Sequence, residues 1–136
     1  MRNLLLAVVA AAGLPGVAQA MEPGEWEFRT VISSSVMQVP QVATGVQCIT
    51  SEDAGDPARY AVRKESPGCT VKPGARTATT YNWTVQCDQG MRGSGKARFA
   101  ARTIESDIRM NVDFQGLKMD ILTEMKGRRL GPCTAK

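Results

Sequence analysis

The sequence predicts a mainly β fold: an antiparallel meander forming a curled sheet or half-open barrel with one short helix, stapled by disulfides. Three observations predict it. Apolar and polar residues alternate with period two through most of the chain after Met21. Turn-forming clusters such as Asp88-Gln89-Gly90 and Gln115-Gly116 separate the alternating runs. Four cysteines, Cys48, Cys69, Cys87 and Cys133, lie in a short chain that opens like an exported protein.

The opening residues carry the export signature. Met1-Arg2-Asn3 is a basic start and Leu4–Ala12 is an unbroken apolar run. Gly13, Pro15 and Gly16 break any helix, and Ala18-Gln19-Ala20 fits small-x-small cleavage. Residues 1–20 are therefore expected to be a cleaved signal peptide, and 21–136 a single β-rich domain. The apolar run is too short to span a bilayer, and no later stretch qualifies as a transmembrane segment.

Within the domain, Glu25–Ile32 sets Trp26, Phe28, Thr30 and Ile32 on one face and Glu25, Glu27 and Arg29 on the other. That is a half-buried strand. Ser33–Gly45 mixes small, polar and apolar residues around Pro40 and reads as a loop with room for a short extended piece; Thr44–Ile49 reads as a short strand. The helical signal follows, with Asp56 as cap, Pro57 at the first position and two turns over Ala58–Glu65. Ser51-Glu52-Asp53 reads as a separate turn before it.

The second half reads as consecutive strands: Cys69–Lys72, Arg76–Cys87, Met91–Arg102, Ser106–Gln115 and Leu117–Met125. A two-residue turn at Gln115-Gly116 sets Phe114 against Leu117, Val112 against Met119 and Met110 against Ile121. Asp113 then meets Lys118 on the other face. A slip of one residue destroys this agreement. A three-residue turn at Asp88–Gly90 likewise sets Trp83 against Gly95, which leaves room for the indole.

The even number of cysteines in an exported small domain reads as two disulfides. A metal site of four thiolates would need C-x-x-C spacing, which is absent. We expect Cys69–Cys87 and Cys48–Cys133. In this reading the chain turns near Pro73–Thr77, Cys87 overshoots a tight hairpin, and its bond staples the strand end to the entering loop. The second bond ties down a C-terminal tail, Gly127–Lys136, that has only Leu130 as a large apolar residue. The alternative, Cys48–Cys69 with Cys87–Cys133, would bracket the helix.

Composition excludes much chemistry. The chain has no histidine, which removes His-based acid–base catalysis, His-assisted nucleophiles and most zinc or copper sites. A formal net charge of +4 is too weak to imply nucleic acid. Gly90-Met91-Arg92-Gly93-Ser94-Gly95-Lys96 has P-loop spacing, but Ala97 replaces the magnesium-binding hydroxyl and a strand follows instead of a helix. Asp107, Asp113, Asp120 and Glu124 alternate with apolar residues, as on a solvated sheet face. Ser94 and Lys96 would share that same solvated face. Met110, Met119 and Met125 alternate with Ile, Val, Leu and Phe as core residues do, so a copper(I) thioether site is not expected.

Four motifs occur in order: Met21-Glu22-Pro23-Gly24-Glu25-Trp26, Cys48-Ile49-Thr50-Ser51-Glu52-Asp53-Ala54, Trp83 four residues before Cys87, and Gly127-Arg128-Arg129-Leu130-Gly131-Pro132-Cys133. Together they cover nearly all of residues 21–136. The combination resembles the family called domain of unknown function 3617. The resemblance implies an exported protein of a Gram-negative bacterium, periplasmic or secreted. It supplies no activity, catalytic residue or cofactor.

The expectation is thus a non-enzymatic envelope domain without cofactor or metal. Curled β folds hold apolar ligands, so Met110, Val112, Phe114, Met119 and Ile121 form a candidate face for a small apolar ligand or lipid. The alternative is an interaction or structural module with a fully packed core. It would use the Ser33–Gly45 loop or the basic residues Arg92, Lys96, Arg98 and Arg102 to meet an envelope protein.

Overall fold

The structure is a computed structural model, described here for residues 21–56 and 68–134. Seven strands form one sheet: β1 Gly24–Ser34, β2 Gln41–Ile49, β3 Cys69–Arg76, β4 Thr80–Cys87, β5 Met91–Phe99, β6 Thr103–Phe114 and β7 Leu117–Gly131. All neighbours are antiparallel, in the order β2-β1-β7-β6-β5-β4-β3. The sheet does not close, so β2 and β3 are its two edges. A closed barrel is therefore ruled out.

Turn chemistry sets the meander. Gln115 and Gly116 both have positive φ, 51° and 83°, as a type I′ hairpin turn requires. The β6–β7 register follows: Phe114 faces Leu117, Val112 faces Met119, Met110 faces Ile121 and Asp113 faces Lys118. Gln89 and Gly90 also have positive φ in the β4–β5 turn, and Trp83 faces Gly95.

Four sequence expectations need correction. Ser33–Gly45 is not a loop: β1 runs to Ser34, β2 starts at Gln41, and the two pair from Gly24↔Ile49 to Ile32↔Gln41. Gly127–Gly131 is not tail but the end of β7, paired with β1. The turn after Cys69 lies at Thr77–Thr80, where the Thr77 hydroxyl accepts from the Thr80 N–H at 3.0 Å. A register shift between Pro73 and Arg76 absorbs the extra length, so Cys69 faces Cys87 squarely and does not staple a loop. The helix α1 occupies Ser51–Gly55, where only a turn was expected, with the Thr50 hydroxyl accepting from the Asp53 N–H at 3.2 Å. The helix expected over Ala58–Glu65 and the signal peptide expected over residues 1–20 both lie outside the described residues.

One face of the sheet carries the core. Trp26, Phe28, Tyr81, Trp83, Ala97, Phe99 and Ile104 are buried there, with Met21, Ile49 and Ala54 of α1 packed on them. Trp26 stacks with Phe28 at 6.4 Å and Tyr81 with Trp83 at 5.4 Å between ring centroids. Small residues make room. A Cβ at Gly95 would enter the Trp83 indole, and one at Gly127 would lie 2.6 Å from both Phe28 and Ile104.

Two disulfides fasten the layout. Cys48 of β2 is joined to Cys133, just beyond β7, and Cys69 of β3 to Cys87 of β4. The first ties the ends of β2 and β7 on either side of β1. The N-terminal segment is held as well. The Arg129 Nε donates to the Pro23 carbonyl at 2.9 Å, and the Trp26 indole N–H to the Glu22 carbonyl at 3.1 Å.

Candidate functional site: an uncovered apolar stripe on β6 and β7

The face that buries the core changes character along β6 and β7. Near α1 it is closed: Ile104 is 1% exposed and Phe99 4%. Toward the Gln115-Gly116 turn it opens. Met110, Val112, Met119 and Ile121 are half-buried, while Phe114 is 43% and Leu117 57% exposed. The register makes these six residues three facing pairs on one surface. Met91 continues the surface on β5, opposite Val112, and Ser34 continues it on β1, opposite Ile121. The five residues expected from the sequence as a ligand face are thus brought side by side, and Leu117 joins them. Leu117 belonged to the same alternation, so its place could be read from the Phe114 pairing.

Polarity inside this stripe is sparse. The Ser34 hydroxyl is buried and meets no hydrogen-bond partner among the described residues. Next to Ile121, it is the one side-chain oxygen so placed there.

The opposite face carries the charge. Cross-strand pairs set Arg98 against Glu105, Lys96 against Asp107 and Glu105 against Lys126. The Arg128 guanidinium contacts the Glu27 carboxylate at 3.0 Å. Grooves on this side include one of about 440 Å³ lined by Arg29, Lys96, Glu105, Asp107, Glu124 and Lys126. Another, of about 830 Å³, runs over β3–β5 past Thr70, Lys72, Thr84, Gln86 and Arg92. Both are polar. The apolar stripe walls neither of these; Met91, Val112 and Met119 line a third groove, of about 590 Å³, together with Arg92, Asp113, Lys118 and Asp120.

Ser94 and Lys96 stand exposed on the charged face. The carboxylates Asp107, Asp113, Asp120 and Glu124 are on the same side, where the Asn111 amide donates to Asp120. Among the described residues, no three carboxylates or cysteines are grouped as a metal would require. No helix of the described residues is long and apolar enough to cross a membrane.

No curated protein and no solved structure matches the chain. The family described as "Protein of unknown function (DUF3617)" matches residues 21–133. That span runs from the buried Met21 to the disulfide-bonded Cys133, and so takes in all seven strands and both disulfides. The chain belongs to this family, DUF3617.

Proposed function

We propose that this protein is a non-enzymatic binding module of the Gram-negative envelope, taking a small apolar ligand or lipid on the β6–β7 stripe. The observation that carries the reading is the contiguous, half-exposed set Met110, Val112, Phe114, Leu117, Met119 and Ile121. Burying such residues is favourable by about 25 cal/mol per Å² of apolar surface, and nothing in their register brings a charge among them. Methionine side chains suit a ligand of variable shape, since the thioether is flexible and polarizable. The two disulfides support an oxidising, exported setting, periplasmic or secreted. Native mass spectrometry of the protein purified from periplasm tests this. A small apolar molecule bound to the wild type and lost on Phe114→Asp is the expected result.

A second reading has its own support. Gly95 and Gly127 are filled over by Trp83, Phe28 and Ile104, which is how a packed core looks. In that reading the stripe meets an envelope protein. The same spectra would then show no small ligand but a co-purifying polypeptide.

A further inference from the structure

The two edges of the sheet are built differently. β3 carries Lys72, Pro73 and Arg76 and breaks register between Pro73 and Arg76. Charge, proline and irregularity are the usual devices that stop an edge strand from pairing again. β2 has none of them. Gln41–Ile49 contains no charged residue and no proline, holds regular register with β1, and is exposed from Gln41 to Cys48. Val42 and Val46 are each 53% exposed on it.

We propose that β2 pairs antiparallel with β2 of a second copy of this chain, about a two-fold axis at Thr44, joining two sheets into one. The sequence of the strand is self-complementary about that residue. Antiparallel pairing there sets Val42 against Val46, Ala43 against Gly45 and Gln41 against Gln47, each twice. The valines share the charged side of the sheet with Thr44, while Ala43, Gly45 and the glutamines share the core side. Valine meets valine, glutamine meets glutamine and the small Ala43 meets the small Gly45, and no charge is brought against another. Moving the axis to Gly45 sets Val46 against Thr44 and Ala43 against Gln47, and the match is gone. Pro40, which has no N–H, and the disulfide-bonded Cys48 delimit the ladder at its two ends. The opposite edge rejects the same arrangement: pairing β3 with itself about Gly74 sets Lys72 against Arg76.

The test is light scattering with size-exclusion chromatography, on protein purified from periplasm with both disulfides formed, across a wide range of concentration. The wild type should dimerise reversibly. Thr44→Glu should weaken dimerisation by about tenfold or more, because two carboxylates then meet at the axis. Inside one copy the same residue faces Arg29, so the fold is kept, as circular dichroism will report. Phe114→Glu should leave dimerisation unchanged. Thr44→Cys should yield a covalent dimer on mild oxidation. A wild type that stays monomeric throughout overturns the proposal. So does a dimer that survives Thr44→Glu, one dissolved by Phe114→Glu instead, or one whose introduced thiols do not join.

Discussion

Gly95 of β5 lies directly opposite Trp83 of β4, and the indole occupies the space a side chain at residue 95 would need. Trp83 is 3% exposed and stacks on Tyr81, so it has little freedom to retreat. Gly95→Ala should therefore destabilise the protein by about 1–3 kcal/mol, the usual cost of overfilling a core. Gly95→Val should cost more. Urea unfolding followed by tryptophan fluorescence measures both, and an unchanged midpoint for Gly95→Ala would contradict the packing described.

The disulfides should differ in worth. Cys48–Cys133 closes 85 residues and Cys69–Cys87 closes 18. Constraining the unfolded chain is then worth roughly 4–5 and 3 kcal/mol respectively. Replacing each pair by alanine in turn, and comparing thermal midpoints, should find the Cys48–Cys133 pair the costlier loss. The reverse order would mean that native-state packing around Cys69 and Cys87 outweighs loop closure.

Ser34→Ala should be neutral or stabilising by up to about 1 kcal/mol. A buried hydroxyl without a partner costs its desolvation and returns nothing, so removing it loses no bond. Chemical denaturation reads this. A clear loss of stability would mean that the hydroxyl is hydrogen-bonded in solution, for example to an ordered water.

Arg128 and Arg129 are neighbours with different expected weights. The Arg128–Glu27 ion pair is exposed at both ends, 68% and 41%, so Arg128→Ala should cost less than about 1 kcal/mol. Arg129 is 21% exposed and donates to the Pro23 carbonyl beside buried Trp26. Arg129→Ala should cost about 1–3 kcal/mol, since it strips a charged donor from a part-buried acceptor. Equal effects in thermal unfolding would contradict this ranking.

The strands visible in the sequence are those with one face buried. β6 and β7 alternate cleanly because their apolar side lies on the core or the stripe, and the Gln115-Gly116 turn then leaves one register. The start of β2, Gln41–Ala43, was hidden because the strand buries only Ile49 and has no face to mark by alternation. The last third of β7 was hidden by Gly127: the core position opposite Phe28 and Ile104 takes a glycine, which reads as a break. The position of the β3–β4 turn was hidden because the shift between Pro73 and Arg76 moves it along the chain. For the candidate site, periodicity identifies the face but not the end that stays open. Ile104 and Phe114 have the same parity on β6, yet one is 1% and the other 43% exposed. That difference comes from Met21, α1 and the aromatic residues of β1 and β4, whose placement is tertiary.

The central claim is that the β6–β7 stripe binds apolar molecules, and the methionines provide local reporters. Met91, Met110 and Met119 lie on the stripe, whereas Met21 is fully buried in the core. Methyl-labelled methionine NMR during titration with laurate or a lysophospholipid is the most direct measurement. Saturable shifts are expected at Met91, Met110 and Met119, with Met21 unmoved and the response abolished by Phe114→Asp. Absence of saturable shifts at those three methyls, or shifts that persist in Phe114→Asp, would contradict it.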